Sequence, residues 1–109
     1  MVKLQGTNIT MTRGDTARVQ VSIANPDGTE YKPLNGDVVR FAMKKSYYDE
    51  KPLVLKNIPI DTLLLTIEPA DTKPLQFGKY VYDIELTQRD GTVNTFITKA
   101  TIILEEEVH

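Results

Sequence analysis

The side chains able to do chemistry are few and widely spaced. The 109-residue chain has no cysteine and one histidine, His109, at its last position. General acid–base work needs a group held within hydrogen-bond reach of the reacting proton, and a terminal residue has no packed shell to hold it. Without a cysteine, an interior histidine or a G-x-S-x-G elbow, nucleophilic triads of the common kinds are excluded. Asp83 and Glu85 form a carboxylate pair two positions apart, so they share a strand face about 7 Å from each other. A glycosidase needs its two carboxyls on facing elements across a cleft, so this spacing predicts a solvated strand face. The scattered Asp and Glu make no D-x-[DN]-x-[DN]-G loop, and neither calcium nor any other metal or cofactor is expected. These residues predict a protein that is not an enzyme.

What remains is the chemistry of contact. Arg13-Gly14-Asp15 spells an integrin-recognition tripeptide, and it is equally good turn chemistry, since Gly and Asp tolerate the positive φ of a tight hairpin. Asn8-Ile9-Thr10 matches a glycosylation sequon, which matters only in a secreted eukaryotic protein. Lys44-Lys45-Ser46-Tyr47-Tyr48 mixes cations and aromatic rings that could stack on a base or a sugar. The simpler expectation is a loop whose rings cover an edge of the fold or pack on a neighbouring subunit, because Tyr is enriched at protein interfaces. The candidate interaction residues are therefore Arg13, Asp15, Lys44, Lys45, Tyr47 and Tyr48.

Composition sets the frame for these residues. Hydrophobic residues are 40% and charged residues 26%, ordinary values for a globular domain. A net charge of −2 argues against a general nucleic-acid binder, which presents a basic field. No apolar run approaches the roughly 20 residues that span a bilayer, and the opening MVKLQGTNIT has no apolar segment of signal-peptide type. With no disulfide framework to call on, the chain must hold itself together through one core.

The elements that must position the candidates are strands. The clearest is 78–88, where Tyr80, Tyr82, Ile84 and Leu86 alternate with Val81, Asp83 and Glu85. Further strands are predicted over 8–12, 17–24 (Val19, Val21 and Ile23 inward), 37–45 (Val39, Phe41 and Met43 on one face), 53–57, 63–67 and 93–104. Phe96, Ala100, Ile102 and Leu104 of the last strand share one parity, whereas Val93, Ile97 and Ile103 share the other. A bulge near 98–100 reconciles them. Turns are expected at Asn25-Pro26-Asp27-Gly28 and Arg89-Asp90-Gly91-Thr92. A short helical turn near 69–74 starts at Pro69 and is stopped by Pro74. Residues 105–109 read as a polar tail. About seven strands, with turn signals roughly every 8–15 residues, predict a single all-β domain over 1–109, an immunoglobulin-like antiparallel β-sandwich. A small barrel is the alternative.

Two longer stretches carry a resemblance. Ile9-Thr-Met-Thr-Arg-Gly-Asp-Thr16, followed by a strand and then Gly36-Asp-Val-Val-Arg-Phe-Ala-Met-Lys44, resembles the opening of small phage and prophage structural proteins of Gram-positive bacteria. The nearest family is the N-terminal domain of the phage baseplate upper protein. Phe77-Gly-Lys-Tyr-Val-Tyr-Asp-Ile84 and Asp90-Gly-Thr-Val93 are similar to the second half of such a domain. The resemblance implies a β-sandwich module of a virion or tail-like particle, at work in the virion or, during assembly, in the bacterial cytoplasm. Its partners would be copies of itself, as a homo-oligomer, or other phage structural proteins, with no nucleic acid and no membrane. The chain's length suggests a free-standing structural or accessory protein more than the fibre-bearing baseplate protein. The alternative function is a ligand-binding or adhesion module that uses Tyr47, Tyr48 or the Arg13-Gly14-Asp15 tip on a carbohydrate or host surface.

The tyrosines of strand 78–88 extend the argument. Tyr80 sits two positions before Tyr82, the place where immunoglobulin domains carry a core cysteine. Tyr82 is expected to fill that place by packing, and the Tyr80 hydroxyl to bond back to the 68–75 crossing.

Overall fold

The computed structural model describes residues 8–25 and 27–106, without the side chains of 96–99. Expectations that fall on the opening MVKLQGT, on Pro26 and on His109 lie outside the described residues, as do the facings of Phe96 and Ile97. Seven strands and one helical turn follow in order: β1 (Ile9–Thr12), β2 (Ala17–Gln20), β3 (Val38–Lys44), β4 (Val54–Ile58), β5 (Leu64–Ile67), α1 (Pro69–Thr72), β6 (Gly78–Thr87) and β7 (Val93–Glu105). The chain is all-β apart from α1. Each expected strand is present, but β2 stops at Gln20, four residues short of the expected 17–24.

Five strands form one sheet in the order β1-β7-β6-β3-β4, and β2 pairs with β5 in a second. All pairings are antiparallel except β1 with β7, which is parallel, with Ile9 opposite Ile102 and Thr12 opposite Glu105. The larger sheet is thus mixed, not purely antiparallel. A hairpin from β1 would have given the antiparallel partner. Instead the turn at 13–15 sends the chain across to the second sheet.

Inward residues of both sheets share one core. Val39, Phe41 and Met43 of β3, Tyr80, Tyr82, Ile84 and Leu86 of β6, and Ala100, Ile102 and Leu104 of β7 meet Val21, Ile23, Leu65 and Ile67 from the other layer. Tyr82 is buried, its ring 5.3 Å from that of Phe41, so it fills its core position by packing, as expected. The Tyr80 hydroxyl donates to the carbonyl of Gln76 at 2.8 Å. That is one residue beyond the expected 68–75 segment, in the connection between α1 and β6. In β7 the pairing slips between Ala100, opposite Tyr82, and Ile97, opposite Ile84, and again before Thr95, opposite Glu85. The first slip is the anticipated bulge.

α1 begins at Pro69, whose missing N–H costs nothing in a first turn. The Asp71 carboxylate accepts from Glu68 N at 2.8 Å and pairs with Lys56, which tethers the turn to β4. Among the described residues no helix is long and apolar enough to cross a membrane.

Candidate interaction surface

The pairing register brings every candidate interaction residue to one end of the fold. Lys44 ends β3 opposite Val81, Gly78 begins β6 opposite Leu104, and Thr12 ends β1 opposite Glu105. The β1–β2 turn, the β3–β4 connection and the entry to β6 therefore lie together, yet their side chains have different fates.

The Arg13-Gly14-Asp15 turn is bound to the body. Asp15 N donates to Thr12 O at 3.1 Å and closes it. Gly14 N donates to the Thr72 hydroxyl at 2.8 Å. The Arg13 guanidinium donates to Leu75 O at 3.2 Å and lies 4.6 Å over the Phe77 ring. Only Asp15 faces outward. Lys45 also turns back, with Nζ 4.6 Å over the Tyr80 ring and 3.4 Å from Lys79 O.

The connection at 46–49 points the other way. Ser46 N donates to the Asp49 carboxylate at 3.2 Å, Asp49 N donates to Ser46 O at 3.1 Å, and Tyr48 N reaches the Ser46 hydroxyl at 3.3 Å. These reciprocal bonds close a tight turn and leave Tyr47 and Tyr48 as its two central residues. Tyr48 is 93% exposed and Tyr47 46%. Tyr47 lines a shallow hollow with Ala42, Lys44, Val81 and Asp83, on the sheet face turned away from the core. Asp83 there has its pKa raised, first by burial and next by Glu85, against the opposing pull of Lys44.

Beside this tip runs β4, an edge strand of the larger sheet. Alternation sends Val54 and Ile58 into the core and turns Leu55 outward. Leu55 is 55% exposed and Leu53 just before it 49%. Leu55 sits opposite Ala42, which sits opposite Asp83, so the apolar step from the edge is two residues wide and ends at a carboxylate. The sequence marked the tyrosines but missed these leucines. The outward parity of Leu55 against Val54 was the available signal.

The opposite end holds a residue that sequence reasoning passed over. Asp37 is only 6% exposed. Its carboxylate accepts from the Tyr31 hydroxyl, from Leu34 N at 2.9 Å and from Arg89 N at 3.1 Å. Hydrogen bonds from Tyr31 and Leu34 hold its pKa below the usual carboxylate range. It lines an open cavity of about 340 Å³ with Tyr31, Leu34, Gln88, Arg89 and Asp90. Its acceptors are occupied in tying the 31–37 loop to the β6–β7 turn, a structural duty. Among the described residues no three His, Cys, Asp or Glu side chains gather to hold a metal ion.

Comparisons with protein-family models, with curated proteins and with solved structures each return no match.

Proposed function

We propose that this protein is a non-enzymatic assembly module that works by protein–protein association through the 46–49 tip and the adjacent edge of β4. The observation that carries the reading is the exposure of Tyr47, Tyr48, Leu53 and Leu55 on and beside an edge strand. Aromatic and aliphatic groups at a sheet edge supply contact area, and the strand's outer edge supplies backbone donors and acceptors for a partner. The tip turn is closed by its own hydrogen bonds, so little ordering cost remains when a partner covers it.

The fold within this reading is an immunoglobulin-like sandwich. Its supports are the β1-β7-β6-β3-β4 sheet facing β2-β5, the tyrosine hydroxyl bonding back upstream at the start of β6, and the buried Phe41 against Tyr82. The particle in which it works, a phage or prophage baseplate or tail, rests on the resemblance of residues 9–16, 36–44, 77–84 and 90–93 to phage structural proteins. Partners are then copies of itself or neighbouring particle proteins.

Light scattering over a concentration series tests the reading. The parent chain should self-associate or bind a particle protein, and Leu55→Lys with Tyr48→Ala should abolish either complex while leaving the fold intact. A parent that stays strictly monomeric at high concentration, with no particle protein co-purifying from a lysate, sinks it. Carbohydrate binding lost in Tyr47→Ala favours the ligand-binding alternative.

A further inference from the structure

Three turns place a residue able to form a succinimide directly before glycine: Asp27-Gly28, Asn35-Gly36 and Asp90-Gly91. The glycine nitrogen in such a pair is unshielded by a Cβ and can close a five-membered ring on the preceding side-chain carbonyl carbon. The reaction needs a side chain and an N–H that the fold has not already committed.

Two of the three pairs are committed. Asp27 Oδ1 accepts from Thr29 N at 3.0 Å and from the Thr29 hydroxyl at 2.6 Å, while Gly28 N donates to Asn25 O at 2.9 Å. Asp90 Oδ1 accepts from Thr92 N at 2.9 Å, while Gly91 N donates to Gln88 O at 2.8 Å. Those bonds also keep both carboxyls ionised, and an ionised carboxylate is a poor electrophile.

Asn35-Gly36 differs on every count. Both residues are exposed. Among the described residues, neither the Asn35 amide nor Gly36 N has a hydrogen-bond partner. The bond that closes the turn runs from Asp37 N to Leu34 O at 2.9 Å and leaves both groups outside. Gly36 has φ +100, and a Cβ there would lie 2.8 Å from Arg89 Cδ, so glycine is required at this position and the reactive pair is kept.

We infer that Asn35 is a site of spontaneous deamidation, selective for this turn over the other two. Solvent base takes the Gly36 amide proton, and the nitrogen attacks Asn35 Cγ. A C–N bond forms, the bond to the side-chain nitrogen breaks, and ammonia leaves. Water then opens the ring at either carbonyl, giving aspartate or isoaspartate.

The site sits on the Asp37 tie. The turn is braced twice, by Asp37 N on Leu34 O and by Leu34 N on the Asp37 carboxylate. Isoaspartate inserts an extra main-chain carbon between those braces, and either product adds a carboxylate two residues from Asp37. The aged protein therefore loses part of the link between the 31–37 loop and the β6–β7 turn.

The full chain, Asn35→Gln and a peptide spanning residues 31–40 are incubated in mildly alkaline buffer. Peptide mapping by mass spectrometry and an isoaspartyl methyl-acceptor assay follow the products. The expected result is isoaspartate at residue 35, forming faster as pH rises, with none at 27 or 90. The acidic product separated by ion exchange should melt at a lower temperature than the fresh chain, and Asn35→Gln should yield no such product. Asn35 intact in the folded chain after the peptide has reacted fully overturns the inference. Isoaspartate appearing at 27 or 90 as fast as at 35 overturns the selectivity, and an aged fraction with an unchanged melting point overturns the link to the Asp37 tie.

Discussion

The entry to β6 and the 46–49 tip lie at the same end of the fold and use the same residue type, tyrosine, for opposite ends. At the β6 entry, Tyr80 is buried, its hydroxyl is bonded to Gln76 O, and Lys45 and Arg13 lie against the rings of Tyr80 and Phe77. Polar tips there are consumed by the backbone that must turn the corner. At the tip, the turn's bonds run between Ser46, Tyr48 and Asp49, so the two tyrosine side chains take no part in closing it. The difference shows that residue type alone does not separate scaffold from surface. The test is where the hydrogen bonds go.

Substituting matched tyrosines is the strongest way to break the contrast. Tyr80→Ala removes a buried ring and should cost about 3–5 kcal/mol in a denaturant titration, as for other large aromatic-to-alanine changes in cores. A cost below that of a surface change would dissolve the distinction. Tyr80→Phe keeps the ring and loses only the bond to Gln76, so it should cost about 1 kcal/mol. An unchanged midpoint would mean that the corner is held by packing alone.

Acid titration sharpens the comparison along the sheet. Asp37 has a lowered folded pKa because Tyr31, Leu34 and Arg89 hydrogen-bond its ionised form. The unfolded state therefore binds the proton first, and the stability Asp37 provides is present above its ordinary pKa and lost as pH falls below about 4. Asp83, beside the tip, is raised by burial, so its sign is reversed: protonation favours the folded state. Asp83→Asn should give a small gain at neutral pH that vanishes in acid, and Asp37→Asn should flatten the acid limb. Identical acid limbs for the parent and Asp37→Asn would remove Asp37 from the account.

The smallest stability effect belongs to Tyr48→Ala, expected within about 0.5 kcal/mol of the parent because the ring touches little of the fold. The same substitution should have a large effect on association. If it unfolds the chain instead, the tip is scaffold after all.

Much of the fold was legible because side-chain period and turn chemistry agree along the chain. The alternation of Tyr80, Tyr82, Ile84 and Leu86 gave the central strand and its buried face. The β7 bulge was legible as a clash of parities. What was not legible depended on distant partners. The 17–24 segment read as one strand, yet ladder pairing with β5 ends at Gln20. There the Gln20 amide donates to Thr62 O at 2.7 Å, Val21 N still donates to Leu63 O at 2.8 Å, Leu63 takes a positive φ of 52°, and the chain at 23–24 then bonds residues 30–31 instead. A leucine in that conformation carries no sequence signal, since the strain is held by tertiary packing. Asp37 read only as the first residue of the 37–45 strand, because its hydrogen-bond partners lie up to 52 residues away in sequence. At the candidate surface the two tyrosines were legible from composition, whereas the exposed Leu53 and Leu55 needed the position of β4 at the sheet edge.

The parallel pairing of β1 with β7 has a mechanical consequence. The chain enters at Ile9, beside Ile102, and leaves at Glu105, beside Thr12, with Arg13 N to Glu105 O extending the ladder. Entry and exit are thus at opposite ends of one two-strand seam. Tension applied through the two ends pulls the strands lengthwise past each other, so the seam's hydrogen bonds are loaded together and must fail together. An antiparallel seam would bring entry and exit to one end and open one bond at a time.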